Sequence, residues 1–321
     1  MSKKLAIILP AYNEEEVIVK TTGILEDVIA KMKHKGMISE TSFILYVDDG
    51  SQDKTWELVE SLRVQYGNVQ GIKFSHNFGH QNALIAGLHY VTNTDVDYAV
   101  TIDADLQDDP NAIIRMVELA NDENKNVVYG VRNDRTTDTV FKRKTAGLFY
   151  KVMNWLGVKT IPNHADFRLV DQKVLRAFEN YKEREMFLRG IFPTIGFNSA
   201  EVFYARAERE AGVTKYPFKK MLEFAANGIT SFSIAPITFV RNLGIGMFLV
   251  SAVMFLYIIL GYFMHKTTLG WPSIIASIWL LGGLQLVAIG LIGEYIGKIF
   301  VEVKHRPRYI IQEVIGDKGD L

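Results

Sequence analysis

Tyr98-Ala99-Val100-Thr101-Ile102-Asp103-Ala104-Asp105-Leu106-Gln107 is the stretch on which the fold turns. Its first half is short, apolar and rich in β-branched and aromatic residues, and polar turn residues from Asn93 to Asp97 precede it, so it reads as a buried strand. Two carboxylates then fall at the strand's C-terminal end. In an open α/β sheet ligands bind outside that end. Paired carboxylates there are costly to desolvate unless a positive charge lies between them, which points to a divalent cation carrying a diphosphate. Hard oxygen donors suit Mg2+ or Mn2+, which would neutralise charge building on a leaving group. A plain acidic turn before the helix that starts near Pro110 is the alternative.

Outward from this stretch, strand and helix patterns alternate. Residues 5–9 read as a first strand and Glu14 to Lys33 as an amphipathic helix. Phe43 to Val47 is a second strand ending at Asp48-Asp49-Gly50-Ser51, followed by a helix from Thr55 to Tyr66. Gln70 to Phe74 is a third strand, with a polar loop from Ser75 to Gln81 and a helix from Asn82 to Val91 behind it. Further strand and helix signals cover Asn126 to Tyr129, Lys144 to Leu156 and Gln172 to Phe178. The alternation predicts an α/β fold with a mostly parallel sheet and flanking helices, whose polar strand ends converge on one rim. Asp48 and Asp49 are turn formers or acceptors for a nucleobase or ribose. The chain has no GxGxxG or GxxxxGK[ST] glycine loop, which disfavours a dinucleotide or P-loop site but leaves a nucleotide held by metal and basic side chains open.

Composition narrows the classes. With 321 residues and 48% hydrophobic content the chain can hold one large α/β domain and a smaller part. Lys+Arg and Asp+Glu balance at 36 each, giving no sign of a nucleic-acid partner, and the absence of cysteine excludes disulfides, thiolate metal sites and a cysteine nucleophile. The apolar stretch from Leu5 to Leu9 is too short for a signal peptide, so the first domain is expected in the cytoplasm.

Four motifs occur in order: Pro10-Ala11-Tyr12-Asn13-Glu14-Glu15, Asp48-Asp49-Gly50-Ser51, Asn77-Phe78-Gly79-His80 and Asp103-Ala104-Asp105-Leu106-Gln107. Together they resemble family 2 glycosyltransferases of the GT-A (Rossmann-like) fold. Ala165-Asp166-Phe167-Arg168-Leu169 and the run from Arg206 to Tyr216 extend the resemblance to the polyprenyl-phosphate branch, similar to dolichyl-phosphate mannose synthases and bactoprenol glucosyltransferases. The resemblance implies that Pro10, Tyr12, Glu14 and Asp48 or Asp49 line the nucleotide, and that Asp103, Asp105 and Gln107 serve the metal and the sugar diphosphate. It makes Asp166 the proposed catalytic base and sets Arg168 near the substrates. A polyprenyl phosphate has a second pKa of about 6, so its oxygen is largely anionic at neutral pH and scarcely needs a base. Asp-x-Arg in an extended stretch also suits a structural ion pair. Arg206, Arg209 and Lys215 form a basic set fitted to phosphoryl groups, with Arg132 and Arg135 as weaker candidates.

The last third is different in kind. Leu243 to Met264 and Leu269 to Gly293 carry no charge, and each exceeds the ~20 residues a helix needs to cross a bilayer core. Lys219, Lys220 and Arg241 precede the first run, and Lys298, Lys304, Arg306 and Arg308 follow the second, so both flanks are expected in the cytoplasm. Residues 217–240 read as a juxtamembrane amphipathic segment on anionic lipid or on the catalytic domain. Gly282, Gly283, Gly290, Gly293 and Gly297 suit close helix packing, within the hairpin or in a homo-oligomer. The expected layout is a catalytic domain over 1–216, the juxtamembrane segment, two transmembrane helices over 241–300, and a tail over 301–321 that adds a strand or pairs with another subunit. The whole points to an inverting, metal-dependent transfer of a hexose from a nucleotide sugar, by resemblance UDP-glucose or UDP-GlcNAc, to polyprenyl phosphate at the bacterial plasma membrane. A processive polysaccharide synthase would carry a Gln-x-x-Arg-Trp motif, which is missing here. A binding protein that has lost catalysis is at odds with the intact acidic motifs.

Overall fold

The computed structural model describes residues 2–105, 107–132, 164–184, 186–205, 237–247, 249–250, 253 and 270–316. The helix expected over Lys144 to Leu156, the basic set Arg206, Arg209 and Lys215, Arg135, and most of the juxtamembrane segment and first apolar run lie outside these. The described residues fall into two compact units: those up to 205 together with those from 306 onward, and those from 237 to 305.

In the first unit the strands are β1 (Leu5–Ala11), β2 (Phe43–Asp48), β3 (Val69–Phe74), β4 (Tyr98–Thr101), β5 (Val127–Arg132), β6 (His164–Asp171), β7 (Ser199–Tyr204) and β8 (Ile311–Ile315). They form one sheet in the order β7-β5-β6-β4-β1-β2-β3-β8. The pairs β4–β1, β1–β2, β2–β3 and β5–β7 are parallel; β6 runs antiparallel to β4 and β5, and β8 antiparallel to β3. Every residue of β1, β2 and β4 is buried, as continuous apolar runs covered on both faces should be.

The helices are α1 (Ile18–His34), α2 (Thr55–Tyr66), α3 (His80–Thr92), α4 (Ala112–Asp122), α5 (Gln172–Phe178) and α6 (Leu188–Ile195). The first helix begins at Ile18 rather than at the expected Glu14, because residues 14–17 form a turn in which the Val17 and Ile18 N–H groups both donate to the Glu14 carbonyl. Its buried residues Ile18, Thr21, Thr22, Leu25, Val28, Ile29 and Met32 follow helical spacing. Thr21 Oγ1 donates to the Ala104 carbonyl at 2.8 Å, so this helix also holds the loop that carries the two carboxylates. At Gly87 a Cβ would stand 2.4 Å from Ile8 Cγ2, so α3 crosses β1 at a distance only glycine permits.

The C-terminal tail completes the sheet, one of the two outcomes expected for it. Beside β8, the Tyr309 ring stacks on Phe74 with centroids 5.1 Å apart, and the Ser75 N–H donates to the Ile310 carbonyl at 3.0 Å.

In the second unit, α7 (Trp271–Val303) is a single helix of 33 residues. Its described side chains Ile278, Leu286, Val287, Ile289, Ile296 and Ile299 are exposed, as are Phe239, Ile245 and Leu249 in the helical stretch over 237–247 and 249–250. Among the described residues no helix is long and apolar enough to cross a membrane, several α7 side chains lying outside that set. The hairpin therefore rests on the sequence.

Candidate active site

The polar strand ends do meet on one rim. Tyr12 and Glu14 follow β1, Asp48 and Asp49 close β2, His80 opens α3 after β3, Asp103 and Asp105 follow β4, and Arg132 ends β5. Because β6 runs the other way, its early residue Asp166 reaches the same rim, where Thr101 Oγ1 donates to its backbone carbonyl at 2.5 Å.

The loops after β1 and β2 are stitched together. Asn13, at φ 55°, gives its N–H to Ser51 Oγ at 2.9 Å and accepts the Gln52 N–H on Oδ1 at 2.9 Å. The Glu14 N–H donates to Thr55 Oγ1 at 2.9 Å. Pro10 is buried in the ladder opposite Val47, whereas Tyr12 beyond it is 42% exposed and offers a ring face.

Asp48 and Asp49 have separate tasks. Asp48 Oδ1 accepts both the hydroxyl and the N–H of Ser51, and its buried Oδ2 accepts no hydrogen bond. Burial raises its pKa, against the Ser51 bonds. That oxygen is open to a further hydrogen-bond donor. Asp49 is occupied otherwise: Phe78 N–H donates to Oδ1 at 2.6 Å and Gly79 N–H to Oδ2 at 2.8 Å. Both its oxygens hold the loop in front of His80.

The carboxylate loop suits a cation by its donor chemistry. Asp103 Oδ1 is buried and accepts no hydrogen bond, with His80 Nε2 at 3.5 Å. Burial pushes the Asp103 carboxyl up to about 6; His80 opposes this, while Asp108, Asp166 and Asp105 add to it. Asp105 Oδ1 accepts the Gln107 N–H at 3.2 Å, and Gln107 is itself buried. Among the described residues no group of three or more His, Cys, Asp or Glu is placed to hold an ion alone. One or two carboxylates with phosphate oxygens completing the shell is how Mg2+ is ordinarily bound beside a diphosphate, so Asp103, Asp105 and the Gln107 amide oxygen fit that role.

Asp166 is not built as a base. Its buried carboxylate receives Arg168 Nη2 on Oδ1 at 2.6 Å and Arg189 Nη2 on Oδ2 at 2.9 Å. Burial alone would raise its pKa, but Arg189 and then Arg168 overcome it and hold the carboxyl well below the usual range. A carboxylate so held is poorly suited to take up a proton. Arg168, expected near the substrates, is turned inward in this structure. It is 1% exposed, gives Nη1 to the Leu188 carbonyl at 3.2 Å, and stacks 4.7 Å over Phe192. This is the ion pair that the Asp-x-Arg spacing also allowed.

Arg132 closes the rim on another side. Its Nε and Nη2 donate to Asp108 Oδ1 at 3.1 and 2.9 Å, and the Tyr204 hydroxyl donates to the same oxygen at 2.7 Å. The cluster ties the ends of β5 and β7 to the residue that follows Gln107. Sequence reasoning missed Asp108, Tyr204 and Arg189 and gave His80 no role. The Asn-Phe-Gly-His motif carried the signal for His80; Arg189, on a helix 23 positions from its partner, had none.

Glycosyl transferase family 2 matches residues 6–178, which span all of these strand ends but β7. The chain belongs to glycosyl transferase family 2. Within it, the chain is 53% identical to an uncharacterized glycosyltransferase, YkoT, of Bacillus subtilis (strain 168), over 96% of this chain and 90% of that protein. It is 37% identical to the bactoprenol glucosyl transferase of Shigella phage SfV, over 96% of this chain and 98% of that one. Among solved structures, glucosyl-3-phosphoglycerate synthase from Mycobacterium tuberculosis is similar at 20% identity, with a TM-score of 0.46, over 71% of this chain and 76% of that chain. As a family 2 glycosyltransferase, the protein sets its strand-end carboxylates and the arginines paired with them on a single rim.

Proposed function

We propose that this glycosyltransferase moves a hexose from a nucleotide sugar to polyprenyl phosphate at the cytoplasmic face of the bacterial plasma membrane. What supports the acceptor is the extent of the likeness to a bactoprenol glucosyl transferase, which spans 96% of the chain and so takes in the apolar last third as well as the sheet. The exposed isoleucines, leucines and valines of α7 suit a lipid surrounding. The basic flanks support a cytoplasmic side for the catalytic domain and both termini.

In this reading Tyr12 and Asp48 receive the nucleoside, and Asp103, Asp105 and Gln107 hold a Mg2+ or Mn2+ ion. When bound, the ion supplies charge neutralisation to the departing diphosphate. The acceptor's phosphate oxygen forms a bond to the anomeric carbon as the bond from that carbon to the diphosphate breaks, its electron pair leaving with the nucleoside diphosphate. The configuration inverts in a single displacement. No proton has to be removed from an acceptor that is already largely dianionic at neutral pH, in keeping with an Asp166 that does not act as a base.

Purified full-length protein incubated with undecaprenyl phosphate and a panel of labelled nucleotide sugars, with and without EDTA, tests this. An organic-extractable product lost on EDTA treatment is expected, with UDP-glucose or UDP-GlcNAc as donor. Label appearing only in aqueous polymer, or no product with any donor, would overturn it.

A further inference from the structure

The tail reaches toward the rim as well as along the sheet edge. β8 pairs with β3 from Gly71 opposite Ile315 to Lys73 opposite Glu313, and the register shifts between Lys73 and Phe74, where β3 runs out toward the loop that carries His80. An irregularity of this kind at a sheet edge bends the strand and re-aims the side chain beside it. Here that side chain is Phe74, which is fully buried. The Tyr309 ring stacks on it with centroids 5.1 Å apart, and Phe78 meets it edge-on at 5.6 Å. Tyr309 is itself held on two sides. Its hydroxyl is hydrogen-bonded to His89 Nδ1 at 3.1 Å, on the helix α3 that His80 opens, and just ahead of it Arg184 Nη1 donates to the Arg306 carbonyl at 2.5 Å. Next in the chain, the Ile310 carbonyl accepts the Ser75 N–H at 3.0 Å, at the start of the His80 loop. Beyond Phe78 that loop is short and fastened. Asp49 takes the Phe78 and Gly79 N–H groups, and Asn82 Nδ2 donates to the Phe78 carbonyl at 2.8 Å. His80 then sets Nε2 3.5 Å from Asp103 Oδ1 and 3.9 Å from Asp166 Oδ2.

We propose that Tyr309 is a positioning residue for catalysis: through Phe74 and Phe78 its ring fixes the loop that sets His80 between Asp103 and Asp166. In its kinetic arm the inference rests on the transfer set out above, which it extends to a residue outside the rim. Closely packed rings pass a displacement on, because a protein interior has little free space to absorb it. Without the Tyr309 ring a cavity would open against Phe74, into which Phe74 would settle, drawing Phe78 and the loop after it. His80 would then leave its place between the two acids, and a small misplacement at a reacting centre lowers the rate out of proportion to the packing lost.

The test uses the full chain in detergent, with Tyr309→Ala, Tyr309→Phe, His80→Gln and the Tyr309→Ala/His80→Gln double variant beside the wild type, each assayed well below its own melting temperature. Tyr309→Ala is expected to lower kcat about tenfold or more. Tyr309→Phe, which keeps the stack and loses only the hydroxyl, is expected to stay within about twofold of the wild type. The double variant should be no slower than the slower single one, since both changes act through one imidazole. Wild-type kcat in Tyr309→Ala, or a double variant in which the two losses multiply, would overturn the assignment. Should Tyr309→Ala melt below the assay temperature, Tyr309→Leu, which fills part of the volume without a ring, takes its place. The Cε1–H NMR signal of His80, identified by its loss in His80→Gln, needs no turnover and separates this inference from the transfer itself. It is expected to shift in Tyr309→Ala and to stay in place in Tyr309→Phe. An unmoved signal in Tyr309→Ala sinks the inference even where product forms, whereas a shifted one supports it even if no donor tried gives product.

Discussion

Asp103 and Asp166 show how two carboxylates on one rim come to opposite characters. Asp103 has a buried oxygen that accepts no hydrogen bond, and burial together with three acidic neighbours raises its pKa, which suits the cation proposed for this rim. Asp103→Asn should therefore cut kcat/KM by about 100-fold or more, while the melting temperature in the absence of metal holds or rises. A variant that loses stability along with activity would mean the carboxylate is structural. Asp166 is the reverse case, since its pKa is depressed and its stabilisation is present above the ordinary carboxylate pKa of about 4 and lost as pH falls toward the lower folded value. Asp166→Asn should cost about 3–5 kcal/mol, because Arg168 is left buried without its counter-charge. The variant should also flatten the loss of stability between pH 4 and pH 2 seen in the wild type, which thermal melts across that range would read. Sequence made the acidic positions legible because strand ends can be located from hydrophobic pattern alone. It could not distinguish a metal ligand from an ion-pair member, because that depends on Arg189, brought in from a distant helix.

Among the elements, the loop before α3 shows how a backbone is held where a side chain is needed. Asp49 takes the Phe78 and Gly79 N–H groups on its two oxygens, and Gly50 at φ 71° lies so close that a Cβ would come within 2.4 Å of the His76 carbonyl carbon. Gly50→Ala should accordingly cost about 2 kcal/mol or more through the left-handed backbone and the clash combined. Asp49→Asn should lose about 1–3 kcal/mol, because an amide can accept only one of the two bonds. Urea unfolding measures both, and a neutral Gly50→Ala would show that the loop can move aside. The strand β8 belongs to the same region, since Tyr309 stacks on Phe74 and Phe74 meets Phe78 edge-on at 5.6 Å. Ending the chain at His305 would uncover the β3 edge and remove that stack. A drop of about 5 °C or more in the melting of the catalytic unit is expected, and unchanged melting would mean that β8 adds no stability. The strands β1 to β5 and their order of appearance were readable from alternation and turn residues, whereas β6 and β7 were not read. The tail's destination was not, because edge pairing is fixed by which edge stands open in the folded sheet.

At the scale of the whole molecule, the two units differ in which side of their elements is apolar. In the sheet unit Leu5, Ile7, Leu9, Ile44 and Val100 are fully buried, whereas in α7 Ile278, Val287, Ile289, Ile296 and Ile299 face outward. An exposed apolar helix surface of this extent in water favours aggregation, and the proposed function gives it lipid as its surrounding. Length agrees. At ~1.5 Å per residue the 33 residues of α7 span about 50 Å, more than a hydrocarbon core of roughly 30 Å requires. On the membrane reading, which rests on the sequence, the uncharged part from Trp271 to Gly293 would lie in the core and Glu294, Lys298 and Glu302 in the headgroup region and beyond. The chain should therefore stay with the membrane pellet through alkaline carbonate extraction. Ile289→Arg, near the end of the uncharged part, should lower that retention by an insertion cost of up to about 2.5–3.5 kcal/mol, the figure for a helix centre. Lys298→Ala, outside the core, should leave retention unchanged. Recovery of the wild-type chain in the carbonate supernatant would remove the bilayer from this account, leaving the acceptor to be delivered to a protein in solution and the outward face of α7 to be covered by protein.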